Sequence, residues 1–268
     1  MDQFYKYFRW LSLDIVLGAI FFLAYLGKYY GVEISLHVYF ALGSAIWLIY
    51  TTDHLIDARS VSSPSNERHI FHQQNFKVLT IVGGMVMMLA LANVYFLELV
   101  IIRNGAVLSA ICVGYLLLVY LFKGLWVKEV LVAIAYASGI FLAPISLTTS
   151  AGRVDLMLVC QLAFIAFLNL LIFSYYDFQN DQKDGFNSLV IRLGKQKVQV
   201  LITFLSAFVI VMSLFNYITT YDSIQLLFGM MTIILAAIYH LPRVFDSAER
   251  FRIVGDGVFY LAALFLLF

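Results

Sequence analysis

Five aspartates stand in two groups, Asp53 and Asp57 in "YTTDHLIDARS" and Asp177, Asp181 and Asp184 in "YYDFQNDQKDG". Spacings of three and four residues stack side chains on one face of a helix, so each group reads as a stripe of carboxylates. Like charges on neighbouring turns repel, and beside a membrane they also lose hydration. A bound cation removes that conflict. Hard oxygen ligands suit Mg²⁺, which is commonly held by one or two carboxylates together with substrate phosphate oxygens and water. Two facing stripes can clamp a diphosphate. One such pair alone is an ordinary solvated helix end, so the two gain meaning only if the chain brings them to the same face.

The elements that must do this are membrane-length. The chain of 268 residues is 63% hydrophobic and 12% charged, with a mean hydropathy of +0.91, against about 25% charged residues in soluble domains. A bilayer core needs roughly 20 apolar residues per helix. Such runs lie near 11–27, 36–52, 76–97, 104–122, 129–149, 155–176, 199–219 and 224–242, and a shorter one at 253–268 closes the chain. Their continuity excludes barrel strands, which would alternate with period two. The expected architecture is an all-α integral membrane protein, a bundle of eight to nine transmembrane helices forming a single polytopic domain over 1–268.

Nine spans give a consistent topology. The N-terminal side receives Lys6, Arg9, Arg59, Arg68, Lys77, Lys123, Lys128, Lys183, Arg192, Lys195, Lys197, Arg243, Arg250 and Arg252. The other side keeps only Lys28, Arg103 and Arg153 of the 17 Lys and Arg. The positive-inside rule makes the first side cytoplasmic. Four spans separate the aspartate groups, and an even number returns the chain to the same face, so both motifs are expected at the cytoplasmic surface of a bacterial-type inner membrane.

Other chemistries lack their motifs: there is no GxxxxGK[ST] loop, no HExxH pair and no zinc-type cysteine spacing. Cys112 and Cys160 fall inside spans and read as packing residues. His54, His69 and His72 accompany the first group and read as interface or phosphate-contacting residues. Asn169, two turns before Asp177, reads as an interhelical hydrogen-bonding residue. Asp14, Asp155, Asp222 and Asp256 read as helix-terminal or packing carboxylates. The polar stretch 58–75 reads as a lid or a solvated loop.

On these motifs the chain resembles the UbiA-like family of membrane prenyltransferases. Asp177, Asp181, Gly185, Ser188, Leu189 and Gly194 in "DFQNDQKDGFNSLVIRLG" are similar to the family pattern DxxxDxxxGxx[ST]L followed by a short run and Gly. The first motif departs from NDxxD: Asp53 stands at the Asn, His54 at the first Asp, and Asp57 alone is identical. Arg68 in "SNERH" resembles the Arg of the loop that follows, and Tyr120 and Lys123 in "YLFKG" resemble its later basic site. The resemblance implies a Mg²⁺-dependent transfer of an isoprenoid group from a prenyl diphosphate to a hydrophobic or aromatic acceptor. It implies Asp57, Asp177 and Asp181 as catalytic residues and Asp53, Asp57, Asp177, Asp181 and Asp184 as metal ligands. Arg68, Lys123, Arg192 and Lys195 are the implied phosphate partners. The partners expected are the donor, a lipophilic acceptor and membrane lipids, with no nucleic acid; acceptor identity, tail length and oligomeric state stay open. Two other functions also stay open: a non-catalytic isoprenoid- or lipid-binding protein on the same frame, and a membrane transporter.

Overall fold

The computed structural model describes residues 3–61, 66–121, 128–148, 153–185, 188–246 and 249–267, apart from the side chains of 119 and 153–155. Every regular element among them is helical. A short amphipathic α1 (Gln3–Trp10) leads into α2 (Leu13–Tyr30) and α3 (Leu36–Ser60). The short α4 (Glu67–Gln74) is followed by α5 (Phe76–Asn93), α6 (Leu99–Leu121), α7 (Lys128–Leu147) and α8 (Arg153–Asp184). After α9 (Leu189–Leu193) come α10 (Lys195–Thr220), α11 (Ser223–His240), α12 (Pro242–Phe245), α13 (Arg250–Gly257) and α14 (Leu261–Phe265).

Seven helices among the described residues are long and apolar enough to cross a membrane: α2, α5, α6, α7, α8, α10 and α11. Helix α3 has the length, 25 residues, but its last turns carry Asp53, His54, Asp57 and Arg59. The final apolar run is helical from α13 through a 3-10 turn at Val258–Tyr260 to α14, a rise of about 24 Å. With α3 and this run, the architecture accommodates the expected eight to nine spans.

Helix α8 is the axis of the bundle. Leu158, Leu162, Ile165, Leu168, Leu171 and Ile172 are fully buried, and α7, α10, α11 and α13 pack around it. Apolar residues cover nearly its whole circumference, as expected of a helix enclosed by others. Helices α5 and α6 instead turn large apolar side chains outward, among them Ile81, Met88, Val107 and Ile111. Such a face has no partner in water and suits hydrocarbon.

Far from the aspartates, Gln161 lies fully buried on α8. Its Nε2 donates to Ser213 Oγ on α10 at 2.7 Å and to Gln225 Oε1 on α11 at 3.0 Å. This amide fixes three helices in register. Asp222 behaves as a helix-terminal residue, capping α11 at Ile224 N and accepting from the Tyr29 hydroxyl at 2.6 Å. Interhelical hydrogen bonds in membranes contribute modestly, and leaving their partners unpaired costs more than the bond yields. Gln161→Leu is expected to lower stability by about 0.5–2 kcal/mol, measured as thermal unfolding in detergent.

Candidate functional site

One end of the bundle opens into a cavity of about 1110 Å³. The end of α3 brings Asp53 and Asp57 to it, the end of α8 brings Asp177, Asp181 and Asp184, and α4 brings Arg68 and His69. The start of α7 adds Lys128 and Glu129, and α13 adds Arg252 and Asp256. The segments placed on one side by the basic-residue count thus meet at one site, and the two aspartate groups share it.

Several of these charged groups meet an opposite charge or a donor from another helix. Lys128 Nζ lies 2.8 Å from Asp53 Oδ2 and 2.7 Å from Asp57 Oδ2, bridging the first group. The Tyr115 hydroxyl donates to the other oxygen of Asp53 at 3.3 Å. Arg252 pairs with Asp177, and its guanidinium sits over the Phe173 and Phe251 rings at 5.2 and 5.4 Å. His69 Nδ1 approaches Asp184 Oδ2 at 3.7 Å. Burial, reinforced by the Arg68 guanidinium, pushes the His69 imidazole down to about 4, so it is neutral at pH 7. Burial also lowers His72, whose Nδ1 lies 2.8 Å from Arg68 O and whose ring stacks edge-on against His54.

The second motif has a clear local logic. Gly185 ends α8 at φ +75° and Gly194 separates α9 from α10 at φ +83°, conformations glycine adopts without a Cβ penalty. Between them Leu189 and Val190 are buried in the core. Glu129 Oε1 accepts the Leu189 N–H at 3.0 Å and the Ser174 hydroxyl at 3.2 Å, tying the loop after α8 to α7. The carboxylates of α8 are therefore held from both sides of their helix end.

The other residues singled out in the sequence are distributed differently. Arg192 and Lys195 are outside the cavity lining, and Lys195 Nζ sits over the Tyr175 and Phe178 rings at 5.2 and 4.8 Å. Lys123 lies outside the described residues, whereas Tyr120 lines the cavity. Asn169 reaches across to α13, its Nδ2 donating to Asp256 Oδ1 at 3.3 Å. Asp14 and Asp256, read as helix-terminal or packing carboxylates, also line the cavity. Lys128, Glu129 and Arg252 were counted only as loop charges or not at all. Their signal lay in the topology, since all three start helices on the side that carries both aspartate groups.

The carboxylates lining the cavity are oxygen donors of the kind Mg²⁺ prefers. Among the described residues no three His, Cys, Asp or Glu side chains converge to hold a metal ion in this arrangement. Lys128 and Arg252 stand where positive charge is required. The site thus offers oxygen donors of the kind a divalent cation takes, while Lys128 and Arg252, rather than a converged ligand set, balance the carboxylates in the arrangement seen.

The fold and site define an all-helical, multi-pass membrane protein with an acidic and basic cavity at one end. No family model and no curated protein matches the sequence. Solved structures do share the fold. A UbiA homologue from Archaeoglobus fulgidus bound to GPP and Mg²⁺ superposes with a TM-score of 0.66 at 14% identity, over 98% of this chain and 97% of that one. The apo UbiA homologue from Aeropyrum pernix K1 gives 0.68 at 11% identity, over 96% and 99%. A digeranylgeranylglyceryl phosphate synthase gives 0.56 at 15% identity, over 100% and 96%. The chain has the fold of the UbiA homologues along its full length.

Two outcomes follow from these contacts. Lys128→Met leaves Asp53 and Asp57 facing each other without their cation. Because the lysine side chain is 27% exposed, the cost is expected below that of a fully buried pair, about 1–3 kcal/mol. Millimolar Mg²⁺ should raise the unfolding temperature of this variant more than that of the unaltered protein; no rise in either would show that these carboxylates take no cation. Glu129→Ala should accelerate hydrogen exchange at the Leu189 amide at least tenfold, read by mass spectrometry of the segment 188–194.

Proposed function

We propose that the protein transfers an isoprenoid group from a prenyl diphosphate to a lipophilic acceptor within the membrane. The observation that carries this reading is the convergence of Asp53, Asp57, Asp177, Asp181 and Asp184 with Arg68 and Lys128 on one cavity at the end of a lipid-facing bundle. The shared fold with a UbiA homologue bound to GPP and Mg²⁺ supports it. Orientation with this end in the cytoplasm is part of the same proposal, resting on the distribution of Lys and Arg.

In this reading Asp57, Asp177 and Asp181 are the principal carboxylates for Mg²⁺, with Asp53 and Asp184 beside them. The ion, when bound, would neutralise charge on the departing diphosphate. Arg68 and Lys128 supply further positive charge, and Arg68 Nε is buried without a hydrogen-bond partner. Lys123 remains a proposed phosphate partner on the sequence pattern, and Arg192 and Lys195 serve as more distant sources of positive potential.

Leaving-group departure makes the prenyl carbon cationic. Tyr50, Tyr115, Tyr136 and Phe173 line the cavity, and aromatic rings attract positive charge to their faces. Leu79, Gly83, Met87 and Leu170 give the same cavity an apolar wall suited to an isoprenoid tail. Water must be kept from such a carbon. Helix α4 covers this end, pinned to α3 by Gln73 Nε2, which donates to Ala58 O at 2.6 Å and Val61 O at 2.7 Å.

A second reading, binding of the isoprenoid diphosphate without turnover, is favoured by one observation: Lys128 occupies both aspartates of the divergent first motif. Calorimetry with geranyl diphosphate tests what the two share. Binding is expected in Mg²⁺, absent in EDTA, and weakened at least tenfold in Asp177→Ala and Asp181→Ala. A folded protein that binds no prenyl diphosphate under any condition would overturn both readings. Release of diphosphate on adding a lipophilic acceptor separates transfer from binding alone.

A further inference from the structure

Helix α1 turns its charges toward the protein and its aromatic rings away from it. Lys6 Nζ reaches Glu67 Oε2 on α4 at 2.9 Å, and Arg9 Nη1 reaches Glu249 Oε2 at 3.4 Å, the Arg9 side chain being only 8% exposed. Phe4 and Tyr7, three residues apart and so on one face, are 75% and 40% exposed. A helix lying on a protein in water has the opposite arrangement, apolar side chains inward and charged ones outward.

The outward apolar surface extends beyond α1. Tyr7 and Trp10 pack on Phe71 of α4 at 5.6 and 5.3 Å. An open groove between the two helices is lined by Tyr7, Trp10, Ile70 and Phe71 and ends at Asn75, where α5 begins. Ile70 on α4 and then Val78 and Ile81 on α5 are exposed in turn. Because α5 is one of the helices able to cross a membrane, the patch is continuous with a face already suited to hydrocarbon.

Chain length fixes the depth of this patch. Leu11 and Ser12 alone separate α1 from α2, and Asn75 alone separates α4 from α5, while α2 and α5 are both of membrane length. At about 3.8 Å per Cα step, the end of α1 lies within about 11 Å of the start of α2, and the end of α4 within about 8 Å of the start of α5. Amphipathic helices at a membrane surface bury their apolar faces about 5–10 Å into the boundary between headgroups and acyl chains. Both short helices are thus tethered at that level.

We propose that α1 is an interfacial anchor, its Phe4 and Tyr7 face set among the acyl chains at the cavity end of the bilayer, and that this anchorage holds α4 at the cavity. The occupant of the exposed face is lipid hydrocarbon and not an anionic headgroup, because Lys6 and Arg9 are committed to Glu67 and Glu249. The contact is therefore indifferent to lipid charge and to salt. The proposal goes beyond the prenyl-transfer reading and does not depend on it: it concerns what keeps Arg68 and His69, both on α4, in the cavity lining.

Power-saturation EPR on the full chain in phosphatidylcholine nanodiscs tests the anchorage. A nitroxide is placed on Phe4→Cys or, as an aqueous reference, on Gln182→Cys at the exposed end of α8, each with Cys112→Ser and Cys160→Ser to remove the native thiols. The label at 4 is expected to meet oxygen far more readily than a water-soluble nickel chelate, the label at 182 to show the reverse, and neither to change when phosphatidylglycerol or salt is added. A label at 4 as open to nickel as that at 182 would overturn the proposal by placing α1 in water. Burial seen only with phosphatidylglycerol would overturn it by making the contact electrostatic. Spin–spin broadening at 4 that disappears on dilution with unlabelled protein would overturn it in favour of a second copy on this face. In the chain with its native cysteines, Phe4→Asp should speed hydrogen exchange across 66–74 at least tenfold in nanodiscs, and Phe4→Leu should leave it within twofold of the unaltered protein. Equal exchange in the two variants would overturn the claim that the anchor holds α4.

Discussion

A carboxylate at the end of a helix enclosed by apolar neighbours must find an opposite charge or a set of donors, because an isolated buried charge is penalised heavily. That requirement organises one whole end of this protein. Lys128 comes from α7 to the two acids of α3, and Arg252 from α13 to the first acid of α8. Glu129, on the next residue of α7, turns to a backbone amide and a hydroxyl instead. Four helix ends are therefore tied together by charge, at a height set by the apolar packing of α8. The rest of the bundle is free to be nearly uniform hydrocarbon because its charges are gathered here.

These ties also explain how a cavity with so many ionisable groups can exist before any ligand enters. The protein supplies its own cations to its own acids. On the proposed prenyl-transfer reading, an incoming phosphate would compete for Lys128 and Arg68, and a divalent ion would compete for the oxygens that Lys128 and Arg252 hold. The two exchanges would complement each other: freeing a carboxylate frees a cation, and each released group has the charge the other ligand needs. On that reading metal and diphosphate would arrive as a pair, with neither leaving an uncompensated charge behind.

Much of the architecture was legible because a bilayer makes length and composition informative: apolar runs near 155–176 and 199–219 had no alternative to membrane-length helices. The shared face of the aspartates followed from parity, an even number of crossings between Asp57 and Asp177. The DxxxDxxxGxx[ST]L pattern was legible for a local reason, since Gly185 and Gly194 take positive φ and Leu189 enters the core. What the sequence concealed was partnership across helices. Nothing in local spacing links Lys128 to Asp53, seventy-five residues away in number from Lys128 and in another span, or Arg252 to Asp177. Asp14 and Asp256 were hidden similarly, each reading as a helix-terminal or packing carboxylate until α2 and α13 meet at one cavity.

The opening helix gives the site a less obvious dependence. Lys6 Nζ bonds Glu67 at 2.9 Å, and the rings of Tyr7 and Trp10 pack on Phe71 at 5.6 and 5.3 Å. Helix α4, which carries Arg68 and His69 over the cavity, is thus fastened to α1, an amphipathic segment with Phe4 turned outward. Such helices settle at the boundary between headgroups and acyl chains. Displacing α4 means either parting those contacts or carrying α1 with it through that boundary. The placement of Arg68 and His69 at the cavity is accordingly tied, through α4, to where α1 lies.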